Sequence, residues 1–174
     1  MPTLYFSLSN PESKATVENI IREFQISLEA KCIGLEIAEV FSQSYIRRNI
    51  SLCDALIIII SRTEFSTRNL TLPIDESVLS ERIRFEIISA INLDLLIIPI
   101  LLDDAVLSQR ENLQGAIKHL CNCTSYTLRS AFIQEDIQAV LESIEEELNF
   151  KKEVEEKLSL SAEESFQRLA GYDA

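Results

Sequence analysis

A single histidine, His119, stands beside the lone Cys121-x-Cys123, and nowhere else in the chain can metal ligation be read from the spacing. A zinc site needs about four ligands, and neither a C-x-x-C nor a second ligand pair is present to complete one. The cysteines, Cys32 and Cys53 included, read instead as small buried thiols, and no metal is expected. One histidine also leaves Ser-His-Asp, Cys-His and multi-histidine schemes short of parts. The three glycines, Gly34, Gly115 and Gly171, cannot spell G-x-G-x-x-G or G-x-x-x-x-G-K-[ST], so Rossmann and P-loop phosphate sites are excluded. A phosphoacceptor receiver would want an acid at the end of its third strand, where Ser61 stands. Two constellations remain. Ser7, Ser9 and Asn10 flank a predicted helix start whose backbone N–H groups can meet a phosphate without glycine. Arg82 and Glu86 form an i,i+4 pair on a predicted helix.

The elements that position these residues follow from periodicity. Thr3–Leu8 reads as a strand, then Asn10 as N-cap and Pro11 as first helical residue, with Val17, Ile20, Ile21, Phe24 and Leu28 on one face of a helix over 11–29. That helix is expected to end at Ala30-Lys31 and a second strand to run over Ile33–Val40. A brief helical stripe in Ser42–Leu52 leads into the buried-type strand Ala55–Ile60 and a loop from Ser61 to about Pro73. Residues 75–92 form an amphipathic helix with Leu79, Ile83, Ile87 and Ile91 on one side. Leu95–Leu102 is apolar throughout, as a strand buried on both faces must be. A helix over Gln109–Leu120, a short strand Thr124–Leu128 and a helix Phe132–Leu148 complete a doubly wound α/β sheet of five parallel strands, flavodoxin-like, with helices on both faces. Ligands of such sheets lie beyond the carboxyl ends of the strands, which places Ser7–Asn10, Phe41–Ser42, Ser61–Arg62 and Asp103–Asp104 on one rim.

After Leu148 the character changes. Residues 149–174 read as an acidic helical tail or linker, with Ser161-Ala-Glu-Glu164 as a capping-box start for a last short helix that Gly171 ends. The formal charge of −12 is concentrated toward the C-terminus: it is −3 over 1–41, +1 over 42–84, −2 over 85–133 and −8 over 134–174. No basic stripe offers counterion release, so nucleic acid is a poor partner. The central arginines, Arg47, Arg48, Arg62, Arg68, Arg82 and Arg84, are where an anionic small molecule would be welcome. The apolar runs are far shorter than the roughly 18–20 residues that cross a bilayer, and the N-terminus lacks a basic segment ahead of an apolar one. The expectation is a cytoplasmic protein without membrane contact. Phe166 and Leu169 on the last helix are the only sign of a docking element for self-assembly or a downstream partner.

The order of segments resembles bacterial Toll/interleukin-1 receptor (TIR) domains over about residues 3–148. LYFSLSN is similar to the family's first box, SLCDALIIIIS to its helix-to-strand core segment, SERIRFEIISAI to the helix patterned Ser-Glu-Trp-Cys-x-x-Glu, and LLIIPILLDD to the strand that follows. The resemblance implies a catalytic role for Glu86 and a nucleotide pocket lined by Ser7, Leu8, Ser9 and Asn10, with Phe41, Ser61 and Arg82 on the same rim. The sequence departs from the family pattern where Arg82 replaces the usual tryptophan and Leu8 the aromatic between the first-box serines. The loop after the second strand is also short and lacks its common proline and glycine.

What the resemblance implies is cleavage of the nicotinamide–ribose bond of NAD, as substrate rather than cofactor, in bacterial immune signalling. The product would be ADP-ribose or a cyclic isomer. One carboxylate is enough for this reaction. Ordinary glycosidases need a second one to protonate the leaving oxygen, whereas nicotinamide is cationic when bonded and departs neutral, so the carboxylate has only to stabilise the oxocarbenium-like transition state. Two other functions fit the same segments: a non-catalytic TIR–TIR assembly or adaptor module, and a sensor that binds a nucleotide without cleaving it. Read locally, Glu86 is an ordinary exposed helical residue paired with Arg82, worth a few tenths of a kcal/mol. The expected partners are NAD, other TIR protomers in an oligomer or filament, and a downstream effector or fused domain. The Arg47-Arg48 pair and the acidic tail would supply complementary charge for head-to-tail stacking, which completes the pocket in TIR-like enzymes.

Overall fold

Strand and helix patterns alternate along the sequence, and so do the elements: β1 (Thr3–Leu8), α1 (Lys14–Ser27), β2 (Lys31–Ile33), α2 (Gln43–Ile50), β3 (Ala55–Ile60), α3 (Glu81–Asn92), β4 (Leu96–Leu102), α4 (Gly115–Asn122), β5 (Tyr126–Leu128) and α5 (Ile133–Ala170). The computed structural model describes residues 1–8, 14–34, 42–61, 80–103, 105–107 and 115–171. The expected helix start at Asn10-Pro11, most of the expected strand to Val40, the start of the helix over 75–92 and residues 109–114 of the next helix lie outside the described residues, as does the side chain of Leu169. The chain forms two compact units, Met1–Leu141 and Glu142–Ala174.

In the first unit the strands make one parallel sheet in the order β2-β1-β3-β4-β5, the flavodoxin-like arrangement. The order places β3 and β4 inside the sheet, which is why ALIIII is buried at every position and LIIPILL at all but its first. Asp54 sets where β1 and β3 begin to pair. Its carboxylate accepts the Thr3 N–H at 2.6 Å, and its own N–H donates to the Thr3 carbonyl at 2.7 Å. Leu4 then lies opposite Ala55, and the register runs on to Leu8 opposite Ile59.

Helices cover both faces. Phe24 of α1 meets Phe6 edge to face with ring centroids 5.3 Å apart, while Ile46 and Ile50 of α2, Ile83 and Ile87 of α3, and Ile117 and Leu120 of α4 pack with Tyr5, Leu56 and Ile58 on the opposite face. Arg47 lies over the Phe85 ring, 5.2 Å from its centroid, and so ties α2 to α3. Ile91, expected on the apolar side of α3, is instead partly exposed.

Several boundaries differ from the sequence reading by a residue or two, and two differences have a clear physical reason. Lys31, expected in a helix end, is already in β2: Glu29 takes a left-handed φ of 49° after the helix stops at Ser27, and the Lys31 N–H donates to the Pro2 carbonyl at 2.9 Å. β2 is an edge strand, so an exposed lysine at its start costs nothing and the apolar pattern underestimates it. The second difference is at Ser161, which does not start a new helix. α5 is continuous over Ile133–Ala170, because LSLSAEES contains neither glycine nor proline, and the Ser159 and Ser165 hydroxyls donate back to the carbonyls of Glu155 and Ser161 inside the helix.

Among the described residues no helix is long and apolar enough to cross a membrane, and no three His, Cys, Asp or Glu side chains gather where they would hold a metal ion. Burial pushes the Cys53 thiol up to about 12, helped by the charge of Asp54, and the half-buried Cys32 thiol up to about 11. Neither is a thiolate nucleophile near neutral pH.

Candidate functional site

The pleat of β1 sends Tyr5 and Ser7 to the face opposite Phe6, toward α3. On α3, Ser80 is the N-cap, its hydroxyl accepting the Ile83 N–H at 3.3 Å, and this fixes the helix phase. Ile83, Glu86, Ile87 and Ala90 then form the buried side, so Glu86 enters the sheet interface as one of a run of apolar neighbours. It is completely buried, as Ser7 and Tyr5 are to within 1%. The expectation of an ordinary exposed helical glutamate is therefore overturned: its i,i+4 pair with Arg82 exists, but facing inward.

A carboxylate moved from water to a protein interior loses several kcal/mol of solvation, which only good partners offset. Glu86 has three. Oε1 accepts the Tyr5 hydroxyl at 3.1 Å and Nε of Arg82 at 2.8 Å, and Oε2 accepts the Ser7 hydroxyl. A carboxylate has about four acceptor directions, so among the described residues these three donors leave one on Oε2. Arg82 reaches further: Nη2 donates to the Gly34 carbonyl at 3.3 Å. Gly34 holds a φ of +96°, and a Cβ there would stand 2.8 Å from the Phe6 carbonyl oxygen and 2.9 Å from Cζ of Tyr5. Glycine at this position lets β1, the residue that follows β2 and the guanidinium close on one another.

The electrostatics follow the contacts. Burial, then the neighbouring Glu86 charge and the hydrogen bond to it, hold the Tyr5 phenol well above its usual range, so it is a fixed donor. For Arg82, burial works to lower the pKa, but the charge and hydrogen bond of Glu86, with a smaller part from Tyr5, outweigh it and leave the guanidinium more firmly protonated.

Of the residues expected at the site, Ser7, Arg82 and Glu86 come together in one hydrogen-bonded set. Leu8 is half-buried at the end of β1, and Ser61 is buried just past the end of β3 on the same rim. Ser9, Asn10 and Phe41 lie outside the described residues. Two rim positions do structural work instead. Ser42 caps α2 by accepting the Tyr45 N–H at 3.4 Å, and the Asp103 carboxylate accepts both the N–H and the hydroxyl of Ser130, at 2.7 and 2.6 Å. Tyr5 and Gly34 were not expected. Tyr5 was visible in principle, since residues two apart in a strand share a face and Ser7 was already placed. Gly34 carries no comparable signal.

β1 and β3 are neighbours in space but their crossovers leave in opposite directions, so the rim between their carboxyl ends is the switch point where open α/β sheets bind ligands. Glu86 is fixed beside the β1 end of that rim through Ser7. A buried carboxylate held by a cation and two hydroxyls can orient a sugar hydroxyl or stabilise developing positive charge.

No family model matches the sequence, and no curated protein matches it either. Solved structures do. The chain is similar to the TIR domains of the activated Roq1 resistosome directly recognizing the pathogen effector XopQ, at 11% identity and a TM-score of 0.54, covering 85% of this chain and 99% of that one. It is also similar to a Clostridium botulinum CMP N-glycosidase, BcmB, at 16% identity, a TM-score of 0.48 and coverages of 79% and 96%, and to a prokaryotic SEFIR domain at 13% identity, a TM-score of 0.48 and coverages of 82% and 97%. The likeness to the resistosome domains shows the fold: a TIR-like α/β sheet.

Proposed function

We propose that this TIR-like chain cleaves the N-glycosidic bond between nicotinamide and ribose in NAD, with Glu86 as the catalytic carboxylate. The observation that carries the reading is the Glu86 carboxylate itself, fixed by Ser7, Tyr5 and Arg82 beside the switch point of the sheet. The resemblance of LYFSLSN and SERIRFEIISAI to TIR segments supports the same residue. In the reaction the C1′–N bond breaks and nicotinamide leaves with its electron pair, neutral. Glu86 balances the positive charge that grows on the ribose, water bonds to C1′ and its proton passes to solvent. Preorganised charge of this kind supplies several kcal/mol of barrier lowering in other enzymes. Attack by the adenine in place of water would give a cyclic isomer.

The competing reading is a non-catalytic assembly module in which Glu86 only ties α3 to β1. The complete burial of Glu86 favours it, because a reacting ribose has to reach the carboxylate. Release of free nicotinamide from NAD by the purified chain, compared with Glu86→Gln, separates the two. The enzyme reading expects release that falls by at least about a hundredfold in the variant, about 2.7 kcal/mol in barrier terms. No release at any protein concentration leaves the assembly reading.

A further inference from the structure

Among the described residues four side chains make the Glu86 network, and three of them are sealed: Tyr5, Ser7 and Glu86 are each 1% exposed or less. The fourth, Arg82, is 29% exposed. Its guanidinium occupies Oε1 of Glu86 with Nε and the Gly34 carbonyl with Nη2. Arg82 is thus the only member of the set that meets solvent, and the same group neutralises the charge a cationic transition state would need. A ligand that engages Glu86 has to draw the guanidinium off the carboxylate. A neutral sugar offers the guanidinium only uncharged hydroxyl acceptors in exchange. A phosphate does, because Arg binds phosphate through the same two-pronged geometry with which it binds a carboxylate.

We infer that Arg82 is a specificity-determining gate: it masks Glu86 in the free protein and moves onto a phosphate of the bound substrate, so that only phosphate-bearing nucleotides unmask the carboxylate. The inference rests on the glycohydrolase reading and names its substrate class. NAD and nicotinamide riboside contain the same scissile bond and the same leaving group, but only NAD carries the pyrophosphate. A merely structural Arg82 would affect both alike.

The test uses the full chain with NAD and with nicotinamide riboside, each with and without inorganic pyrophosphate. NAD should be cleaved at least about a hundredfold more efficiently than the riboside. Pyrophosphate should compete against NAD yet accelerate cleavage of the riboside, by at least about threefold, since it draws off the guanidinium without filling the ribose site. In Arg82→Gln the NAD-to-riboside ratio should collapse to within about tenfold. The gate is overturned if pyrophosphate only inhibits riboside cleavage or leaves it unchanged, a result that needs no variant and survives a failure of Arg82→Gln to fold. It is equally overturned if the folded variant loses both activities in the same proportion. Should the parent cleave neither substrate under any condition, the glycohydrolase reading fails by itself, and calorimetry with ADP-ribose then decides the gate. Binding that weakens at least about tenfold in Arg82→Gln or Arg82→Lys supports it; absent binding, or binding unchanged by both substitutions, overturns it.

Discussion

The Tyr5 hydroxyl donates to Oε1 of Glu86 across 3.1 Å, joining the first strand to a helix 81 residues later in the chain. Ser7, one pleat further along the same strand, donates to the other oxygen. Two hydroxyls spaced as strand neighbours therefore grip both oxygens of one carboxylate, and α3 is keyed to β1 in rotation as well as in position.

Tyr5→Phe removes one of these donors while keeping the ring against Gly34. A hydrogen bond to a buried charged group contributes about 1.5–3 kcal/mol, and the substitution should cost that much. Urea denaturation of parent and variant measures it; a loss under about 0.5 kcal/mol would mean that the hydroxyl adds little to holding the carboxylate.

The main lines of this arrangement are legible in the sequence, and the reason is burial on two sides. ALIIII and LLIIPILL admit no other reading once short connections force parallel neighbours, and SERIRFEIISAI places Glu86 at its heart. The inward direction of Glu86 was harder. Its neighbours Ile83 and Ile87 already mark the buried side, but an acidic residue there reads as solvent-facing by default, since a lone buried carboxylate is prohibitively costly. Arg82 and the donors from β1 together offset that cost, and pairing between residues 5 and 86 has no local signature. Gly34 was invisible for the same reason, because the close approach of Phe6 and Tyr5 that requires a glycine there is a contact between distant parts of the chain.

Gly34→Ala should be among the most damaging single-methyl additions in the protein. The new Cβ meets the Phe6 backbone oxygen at 2.8 Å, and the φ of +96° is strained for any L side chain. Strain of this kind costs about 1–3 kcal/mol before the clash with Tyr5 is counted. The Gly34 carbonyl also holds Nη2 of Arg82, so a shifted backbone should loosen the gate. Thermal melting checks the first effect: a variant that melts within about 2 °C of the parent contradicts the described backbone.

At the start of α5, Arg129 donates to Asp136 through Nε at 2.8 Å and through its backbone N–H at 3.1 Å. These bonds, the guanidinium first, hold the Asp136 carboxyl down at about 2, below its ordinary value of 3.8. A depressed folded pKa contributes stability that is fully present above the unfolded value and lost as pH falls through the folded one. The difference in urea midpoint between the parent and Asp136→Asn should be constant above about pH 5 and vanish between about pH 4 and pH 2. Both side chains meet solvent, so the difference should also shrink in high salt. A pH-independent difference would show that Asp136 acts through packing.

The Arg82–Glu86 pair should respond unequally to loss of either partner. Arg82→Gln leaves Glu86 fully buried with its countercharge gone, and orphaning a buried ion costs about 3–5 kcal/mol. Glu86→Gln leaves a guanidinium that is 29% exposed and can turn to water, while the amide still accepts from one hydroxyl and donates to the other. That change should cost only about 1–2 kcal/mol, the scale of one weakened hydrogen bond. Introduced into Arg82→Gln, the Glu86→Gln substitution should then restore stability, since it removes the stranded charge. The four proteins form a double-mutant cycle readable from urea midpoints at neutral pH. The double variant is expected to be more stable than Arg82→Gln alone, and Arg82→Gln to be the least stable of the four. If Glu86→Gln proves the more damaging single change, the carboxylate is not the desolvated partner, and its placement beneath Arg82 is wrong.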